Sequence, residues 1–435
     1  MTHTLDLPWG SKEVLSLNLP AGWKMTGRLE PASKSGVSDP CIETQRALSQ
    51  PTGAARLSEI ARGKKQVALV IDDGSRPTPV HQVLPAVLDE LNAAGMTTQQ
   101  IHLVPALGVH RAMTQTEVEQ RTGRTGLDDM HLVTHDCDDP GLVSLGSTSR
   151  GTPVLVNQTV ANADLIVSIG CIEPHIIASF GGGYKNLFPG VAGRATIAHN
   201  HSLNCDPATF NMVGQPIEKN PMRLDLEEAG QMLKPPVFIV NAVLNSAMEV
   251  VQVVCGDPIQ AHRAGTQISA SIFGVNVSTP ADVVITDSHP MDQDLRQGVK
   301  ALANTIRAVK RGGVLITLVR AEEGVGVFGL ANRKLPLGRG ALQLLAPLLL
   351  PLVPRLKIKG LGEEDKFFLY FALQAMRHAT LLMYAPTIPE EIHERLPFVQ
   401  FCPSPQDALD RAQRLVAGQA KVLAFPYGGS TYPIL

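Results

Sequence analysis

The sequence has no excess of charge of either sign and no long hydrophobic run. Its 435 residues contain 38 Lys plus Arg and 40 Asp plus Glu, which gives a formal net charge of −2. That balance argues against electrostatic binding of nucleic acid. The most apolar run, 342–353, contains two prolines and is well short of the roughly 20 residues that a membrane-spanning helix needs. We therefore expect neither a nucleic-acid partner nor a membrane span.

The six cysteines include no CxxC pair, which excludes the common disulfide-exchange and zinc-binding patterns. The first ten residues, MTHTLDLPWG, are polar and contain a proline, so no secretory segment is expected there. These features predict a reduced, cytoplasmic protein. Hydrophobic residues make up 44% of the chain and charged residues 18%, enough for a large core, and the length predicts two or three domains.

Short aliphatic and β-branched runs, each ended by turn residues, predict buried strands along the chain. These runs are 66–71, 101–105, 165–169, 237–240, 283–286, 314–319, 380–384 and 422–425. Helical periodicity fills many of the gaps, most clearly over 295–309, where Gly312 and Gly313 are expected to stop the helix before the next strand. The alternation predicts an α/β protein with mainly parallel sheets.

We expect two α/β domains with an active-site cleft between them. The main boundary is expected near 270–280, between a hydrophobic segment (ISASIFGV) and a new strand (ADVVITD). This gives an N-terminal domain of 1–272 and a C-terminal domain of 273–405, with the tail, about 406–435, packing back on the N-terminal domain. The Pro- and Gly-rich stretch 335–362 is expected to be a loop or an irregular helical excursion.

Two polar motifs follow predicted strands, where open α/β sheets bind ligands. The first contains Asp73, Ser75 and Arg76, and the guanidinium of Arg76 suits a carboxylate or a phosphate. The second ends at His110, a residue type suited to proton transfer near neutral pH. For the first motif, the alternative is an ordinary capped turn with a solvated Arg. For the second, it is a structural His.

A third motif joins His175, in Glu-Pro-His, to a glycine-rich turn that precedes Lys185. The three glycines, Gly181, Gly182 and Gly183, would let backbone N–H groups approach an anionic ligand. The turn matches neither the Walker A motif nor the dinucleotide G-x-G-x-x-G pattern. A structural glycine-rich turn is the alternative.

His199 and His201 form an H-x-H pair, and imidazole suits nickel, copper, zinc and iron. We treat the pair as part of a strand and expect only one of its members to face a given ligand. The sequence shows no companion Cys or carboxylate at metal-ligand spacing, which argues against an all-protein metal site. Further on, Arg296, Gln297 and Lys300 lie near one helix turn and either hold an anion or form a solvated face.

In this order and at these spacings, the motifs resemble those of the nickel-pincer lactate racemase family. The likeness rests on DGSRP at 73–77, ALGVH at 106–110, EPH at 173–175, GGGYK at 181–185, NHS around His201 and DQDLRQGVK at 292–300. It implies a nickel-pincer nucleotide, pyridinium-3,5-bisthiocarboxylate mononucleotide nickel, that is tethered covalently to a lysine. Lys185 stands at the tether position.

The resemblance also implies roles for the other motif residues. His201, rather than His199, would complete the coordination of nickel, and His110 and His175 would be the two acid/bases. The remaining motif positions would contact the cofactor or the substrate carboxylate. The cofactor contacts would be Asp73, Ser75, Arg76, Gly181, Gly182 and Gly183. The substrate contacts would be Arg76, Gln297 and Lys300. The N-terminal domain would then bind the cofactor, and the C-terminal domain would contribute Gln297 and Lys300.

The implied activity is racemisation or epimerisation of a 2-hydroxy acid by reversible hydride transfer from C2. Other proteins would have to build the cofactor. A nicotinamide-dependent 2-hydroxy acid dehydrogenase is an alternative, and the missing G-x-G-x-x-G argues against it. A non-catalytic carrier of the nickel nucleotide is another, but it would have little use for both His110 and His175.

The chain departs from the lactate enzyme at two pocket positions. Its only tryptophans are Trp9 and Trp23, so the aromatic wall that the lactate enzyme draws from its second domain is missing. Arg296 stands where the lactate enzyme has Tyr. Both changes concern the pocket rather than the chemistry, and they leave the side chain of the substrate open.

Overall fold

The computed structural model describes residues 4–10, 12–326, 328–355, 363–416 and 418–435. Within these residues, no helix combines the length and the apolar character needed to cross a membrane. The strands are β1 (Thr4–Trp9), β2 (Glu13–Asn18), β3 (Trp23–Arg28), β4 (Val67–Asp72), β5 (Ile101–Ala106), β6 (His131–Leu132), β7 (Val143–Ser147), β8 (Pro153–Val156), β9 (Leu165–Cys171), β10 (Pro174–His175), β11 (Ser179–Phe180), β12 (Val237–Leu244), β13 (Val250–Gly256), β14 (Gly274–Asn276), β15 (Ala281–Asp287), β16 (Val309–Leu318), β17 (Thr380–Tyr384), β18 (Gln400–Phe401), β19 (Ala420–Phe425) and β20 (Tyr432–Ile434). The helices are α1 (Pro40–Ser49), α2 (Leu57–Ala61), α3 (Val80–Ala93), α4 (Gln115–Thr122), α5 (Gln158–Asn162), α6 (Arg194–Ser202), α7 (Pro221–Gln231), α8 (Gln260–Phe273), α9 (Leu295–Thr305), α10 (Arg339–Leu349), α11 (Glu363–His378), α12 (Glu390–Arg395) and α13 (Pro405–Leu415).

The chain divides into two compact units, each built from separate stretches of sequence. Unit 1 comprises Met1–Ala32, Asn204–Gln215 and Phe273–Leu435, and unit 2 comprises Ser33–Leu203 and Pro216–Ile272. The expected division differs from this one at both ends of the chain. The N-terminal stretch and the tail from about 406 both group with 273–405, because β3 pairs with β19 and β14 pairs with β20.

Unit 2 contains a six-stranded sheet in the order β13-β12-β9-β4-β5-β6. All neighbouring pairs are parallel except β12 and β13, which run antiparallel at the edge. Four of the eight predicted strands lie here and are confirmed. Every residue of β4 and of β9 is buried, which is why those two strands read as unbroken apolar runs in the sequence.

The strand order of unit 2 reverses between β4 and β9. From β4 the chain moves outward to β5 and β6, and it then returns to the other side of β4 as β9. Loops that leave the carboxyl ends of two such strands diverge and leave a crevice, which is where open α/β sheets bind ligands. The motifs that begin after Asp72 and after Cys171 therefore flank the switch point of this sheet.

Unit 1 contains a second six-stranded sheet, in the order β18-β17-β16-β15-β19-β3. All of its neighbouring pairs are parallel, and it contains the other four predicted strands. The two units together thus form a mixed α/β protein with mainly parallel sheets, as the sequence predicted.

Two predictions of local structure in unit 1 need correction. The helix expected over 295–309 ends at Thr305, and Val309 already begins β16. Gly312 and Gly313 do not stop the helix, because they lie within β16 where its register with β15 shifts, and Gly312 has a φ of 82°. The stretch expected to be irregular contains a regular helix, α10, and the part of it at 356–362 lies outside the described residues.

The buried carboxyl of Asp287, at the end of β15, gives the stability of unit 1 a predicted pH dependence. Burial first, and then the nearby charge of Asp292, raise the pKa of Asp287 well above its usual value. A raised pKa in the folded state means that stability is fully present below the unfolded-state pKa and is lost as pH rises towards the folded-state pKa. In the parent, this group should lower the free energy of unfolding by up to about 1.4 kcal/mol per pH unit as pH rises. Asp287→Asn should remove that decrease.

Chemical denaturation of the two proteins between pH 4 and pH 8 measures this difference. Asp282→Asn, near the other end of β15, is the matched control. Its effect on the pH dependence of stability should have the opposite sign. Although partial burial opposes it, hydrogen bonds from Lys310 and from the N–H of Lys421 lower the pKa of Asp282. Equal pH slopes for Asp287→Asn and the parent would contradict the prediction.

Candidate active site

Asp73, in the loop after β4, forms a pair with His110, in the loop after β5. One carboxylate oxygen of Asp73 accepts hydrogen bonds from the N–H of Ser75 at 3.1 Å and from its hydroxyl at 2.5 Å. The other oxygen lies 2.5 Å from Nδ1 of His110. Although burial opposes ionisation, the bonds from His110 and Ser75 and the charge of Arg76 hold the pKa of Asp73 well below its usual range. The carboxylate therefore accepts the Nδ1 proton of His110 and leaves Nε2 as the basic nitrogen.

Arg121, on α4, binds the loop after β4. No role was predicted for it from the sequence. Its Nε donates to the carbonyl of Asp72 at 2.6 Å, and its Nη2 donates to the carbonyl of Arg76 at 3.2 Å and to the side chain of Asp72. Thr78 donates its hydroxyl to the other carboxylate oxygen of Asp72. Both ends of the loop that contains Asp73 and Ser75 are thereby fixed.

Arg76 joins the loop after β4 to the loop after β9. Its Nη1 lies 2.9 Å from a carboxylate oxygen of Glu173, and both side chains are mostly buried. The sequence motif contained Glu173 without assigning it a role. This ion pair crosses the switch point and connects two of the motifs that the sequence singled out.

His175 lies at the start of a tight hairpin formed by β10 and β11, in which it pairs with Ser179. Its Nδ1 accepts hydrogen bonds from the backbone N–H groups of Ile177 and Ala178, each at 3.2 Å. The side-chain amide of Asn220 donates to the carbonyl of Ile177 at 2.7 Å and fixes the turn from α7. The ring orientation is thus set by the backbone of its own hairpin.

The N–H groups of the glycine-rich turn are partly used within the chain. The N–H of Gly181 donates to the carbonyl of Glu173 at 2.7 Å, and that of Gly183 donates to the side chain of Asn241 at 2.8 Å. At these two positions the N–H groups are already bonded within the chain, as in a structural turn. Lys185 follows the glycines and is partly exposed, in a 3-10 turn over Gly183–Asn186.

A cluster of charged and polar side chains, mostly buried, packs against the glycine-rich turn. Arg223 donates to the carbonyls of Phe180 at 3.3 Å and Gly182 at 3.1 Å, and it pairs with Glu227. Nε2 of His262 lies 2.9 Å from the carbonyl of Gly181. Burial, together with the charges of Arg223 and Arg263, lowers the pKa of His262 well below its usual value, so that the ring is neutral.

This packing predicts a large cost for a side chain at Gly183. Its φ is 62°, and an added Cβ would lie 2.5 Å from Nη2 of Arg223. We expect Gly183→Ala to lower the free energy of unfolding by about 2–3 kcal/mol. Gly74→Ala is the control, since nothing lies within 4 Å of its Cβ position, and it should change stability by less than about 0.5 kcal/mol. Equal effects of the two substitutions in denaturant unfolding would argue against the packing role.

His199 and His201 lie on a helix, α6, and not on a strand as the sequence reasoning assumed. Residues two apart share a face on a strand but are about 200° apart around a helix axis, so it is the helix that makes the two side chains face different directions. Nδ1 of His201 lies 2.9 Å from the carbonyl of Ile197, whereas Nδ1 of His199 lies 2.8 Å from the hydroxyl of Thr152. A metal-binding His commonly donates one ring N–H to a carbonyl and ligates through the other nitrogen, as His201 can through Nε2.

Gln297 and Lys300 belong to unit 1 and lie in the first turns of α9. Asp294 caps this helix by accepting the N–H of Gln297 at 2.7 Å. Nζ of Lys300 lies 3.9 Å from the sulfur of Met291. The sequence placed both residues at the start of a helix, and that is where they lie.

Three potential metal ligands also meet in the loop between β6 and β7. The ligand atoms of Asp136, Cys137 and Asp138 lie within 4.8 Å of one another. Both carboxylate oxygens of Asp138 bind Arg194, at 2.8 and 2.6 Å. The guanidinium therefore already neutralises this carboxylate, and the group serves as a structural contact to α6.

Comparison with known proteins gives consistent matches. The model of the lactate racemase N-terminal domain family matches residues 10–211. The lactate racemase of Thermoanaerobacterium thermosaccharolyticum is 32% identical over 333 residues, which are 75% of this chain and 76% of that protein. The lactate racemase of Lactiplantibacillus plantarum is 31% identical over 292 residues, 66% of this chain and 67% of that protein.

Two solved structures are also similar. The lactate racemase apoprotein from Thermoanaerobacterium thermosaccharolyticum matches with a TM-score of 0.85 and 26% identity over all of both chains. A structural-genomics protein from Thermotoga maritima matches with a TM-score of 0.67 and 17% identity, over 93% of this chain and 100% of that one. The second similarity concerns the fold alone.

Proposed function

Because the chain belongs to the lactate racemase family, and is therefore an isomerase, we propose that it racemises lactate or a similar small 2-hydroxy acid. The observation that carries this proposal is the Asp73–His110 pair at the switch point of the unit 2 sheet. It provides a base whose tautomer and orientation are fixed. Direct removal of a proton from C2 of a 2-hydroxy acid is difficult, so the proposed route moves the C2 hydrogen as hydride.

We propose that a nickel-pincer nucleotide is held in unit 2, tethered to Lys185 and ligated by His201. The residues fit that group, since Lys185 is a partly exposed lysine and His201 has its Nδ1 bonded to a carbonyl, as a metal-binding His commonly has. Asp73, Ser75, Arg76 and the turn Gly181, Gly182 and Gly183 are its proposed contacts. When bound, this group supplies an acceptor that takes the hydride from C2 and returns it.

The protein's own side chains handle the proton and the carboxylate. His110 and His175 are the proposed catalytic residues at the substrate oxygen. Arg76 is proposed to bind the substrate carboxylate, and a guanidinium can orient that group as well as attract it. The substrate-binding roles of Gln297 and Lys300, in unit 1, stay predictions from the sequence. Arg121 and Glu173 act through Arg76 and the loop after β4, and we regard them as positioning residues.

Isotope transfer tests the proposed reaction. With lactate deuterated at C2, we expect a slower reaction, racemised product that keeps its deuterium, and no exchange of the label with water. Rapid loss of deuterium to water would indicate proton abstraction and would contradict the hydride route. Accumulation of the 2-oxo acid with reduced nicotinamide would instead identify a dehydrogenase.

Maturation and location follow from the same proposal. Proteins that build the nickel nucleotide would be required partners, so activity is expected only in material produced together with them. The six cysteines, all within the described part of the chain, form no disulfide, and the proposed location is cytoplasmic.

A further inference from the structure

Asp225, on α7, holds two consecutive residues of α6 through a buried hydrogen-bond network. One oxygen of its carboxylate accepts hydrogen bonds from the side-chain amide of Asn200 and from the hydroxyl of Thr152, each at 2.7 Å. The hydroxyl oxygen of Thr152 in turn lies 2.8 Å from Nδ1 of His199. A hydroxyl has one proton, and Thr152 gives it to Asp225, so the ring of His199 is the donor in this contact. Two neighbouring residues of one helix are thus bound to the same carboxylate.

The ring of His201 is oriented by its own helix. Its Nδ1 lies 2.9 Å from the carbonyl of Ile197, four residues earlier on α6. A ring that is held in this way moves with the helix, so the placement of α6 determines where the ring lies. His199, about 200° away around the helix axis, faces a different side and reaches Thr152 there.

We propose that Asp225 and Thr152 are positioning residues for the metal ligand His201, and that they act through His199 and Asn200. This inference rests on the proposed function for the presence of nickel, although the attachment of α6 to Asp225 follows from the contacts alone. It also gives a role to His199, the other member of the H-x-H pair, which anchors the helix while His201 ligates.

The two halves of α6 are attached to different parts of unit 2. Near its start, the hydroxyl of Thr196 donates to the carbonyl of Pro153 at 2.6 Å, which joins the helix to β8. Near its end, the helix is attached to α7, both through Asp225 and through the carbonyl of Met222, which accepts from Asn200 at 3.0 Å. The proposed ligand lies in this second half, so its position depends more on the contacts to α7 than on β8.

The network is shielded from water and its carboxylate is satisfied at both oxygens. Thr152 and Asp225 are fully buried, and the second oxygen of Asp225 accepts the hydroxyl of Thr148 at 2.5 Å. Buried polar networks whose members all have partners make a structure rigid. Rigidity matters for a metal ligand, because the groups that orient such ligands typically contribute about 10–100-fold to metal affinity.

Matched substitutions in cofactor-loaded protein separate positioning from stability. Thr152→Val keeps the size of the side chain and removes the hydroxyl that links His199 to Asp225. Thr152→Ser keeps that hydroxyl. Thr148→Val removes a buried hydroxyl from the other oxygen of the same carboxylate, and it leaves the bonds from Asn200 and Thr152 to Asp225 in place.

The measurement is the rate at which EDTA removes nickel, followed by visible absorption and by metal analysis. We expect Thr152→Val to lose nickel about 10–100-fold faster than the parent, and Thr152→Ser and Thr148→Val to stay within about threefold. The covalent mass added at Lys185 should be the same in all four proteins. A parent-like rate for Thr152→Val, or an equal acceleration in Thr148→Val, would overturn the proposal.

The attachment of α6 can be measured without the cofactor. Backbone hydrogen exchange, read by mass spectrometry on the unloaded full-length chain, reports local opening of the helix. We expect about tenfold faster exchange in the peptide 194–202 for Thr152→Val and parent-like exchange there for Thr148→Val. His199→Ala removes the same link from a partly exposed position, so it should fold even if Thr152→Val does not, and it should also speed exchange. Unchanged exchange in both variants of the link would contradict the network.

The failure of this inference and that of the proposed function are distinguishable. A parent protein that takes up no nickel would contradict the proposed function, while hydrogen exchange would still decide whether Asp225 holds α6. A racemising, nickel-loaded parent whose Thr152→Val variant retains nickel as firmly would contradict only the inference.

Discussion

Replacement of Asp73 by Asn should lower kcat by about 10³–10⁴-fold while the protein stays folded and keeps the proposed covalent tether at Lys185. The carboxylate accepts the Nδ1 proton of His110 at 2.5 Å, and an amide that offers its NH₂ group there would drive that proton to Nε2. The base would then be blocked at the atom that faces the substrate. Initial rates of racemisation, from polarimetry or chiral chromatography, measure the loss.

Asp164→Asn is the matched control for Asp73→Asn. Asp164 lies just before β9, at the opposite end of that strand from the catalytic loops, and it accepts the N–H groups of Lys65 and Gln66. We expect its kcat to stay within about twofold of the parent, since surface substitutions away from a site have small effects. A rate for Asp73→Asn within tenfold of the parent would show that the carboxylate does not control His110.

Replacement of Lys185 by Ala or Arg should abolish racemisation completely. The proposed tether needs an amine, and neither a methyl group nor a guanidinium provides one that can form the linkage. Lys185 lies in a 3-10 turn whose position depends on Gly183 and on the buried Arg223 behind it, so the fold should survive the change of side chain. The Arg variant keeps the positive charge, which separates loss of the tether from loss of charge.

Mass spectrometry and activity distinguish the outcomes for Lys185. Both variants should have the mass of the unmodified chain when produced together with the cofactor-building proteins, and neither should turn over substrate. Lys219 is an exposed lysine of the same unit, and Lys219→Ala should keep both the adduct and the activity. If the Lys185 variants still carry the adduct, the tether is elsewhere in the chain.

The part of the fold that could be predicted consists of buried parallel strands. β4 and β9 lie between other strands and are buried along their whole length, so most of their side chains are apolar, and the run is visible in the sequence. The composition of the units could not be predicted. Pairing of β3 with β19 joins the two ends of the chain, and no local pattern records which strand is the neighbour of which.

The candidate site shows the same contrast. Asp73, His110 and His175 were visible because each lies in the loop region shortly after a predicted strand, and the fold brings such loops to one edge of the sheet. Their partners were not visible. Glu173 forms an ion pair with Arg76, which is 97 residues away in sequence. Arg121 and Arg223 contact the site from helices whose polar residues resemble an ordinary solvated face. Such contacts depend on tertiary packing and have no fixed spacing.

The most direct test of the central claim is the intact mass of the full-length chain together with its nickel content. The protein should be produced with the proteins that build the nickel nucleotide. The account predicts an added mass of the size of that nucleotide, on the peptide that contains Lys185, and about one nickel per chain, as a single tethered cofactor requires. An unmodified mass and no nickel, in a host that loads a known lactate racemase, would contradict it.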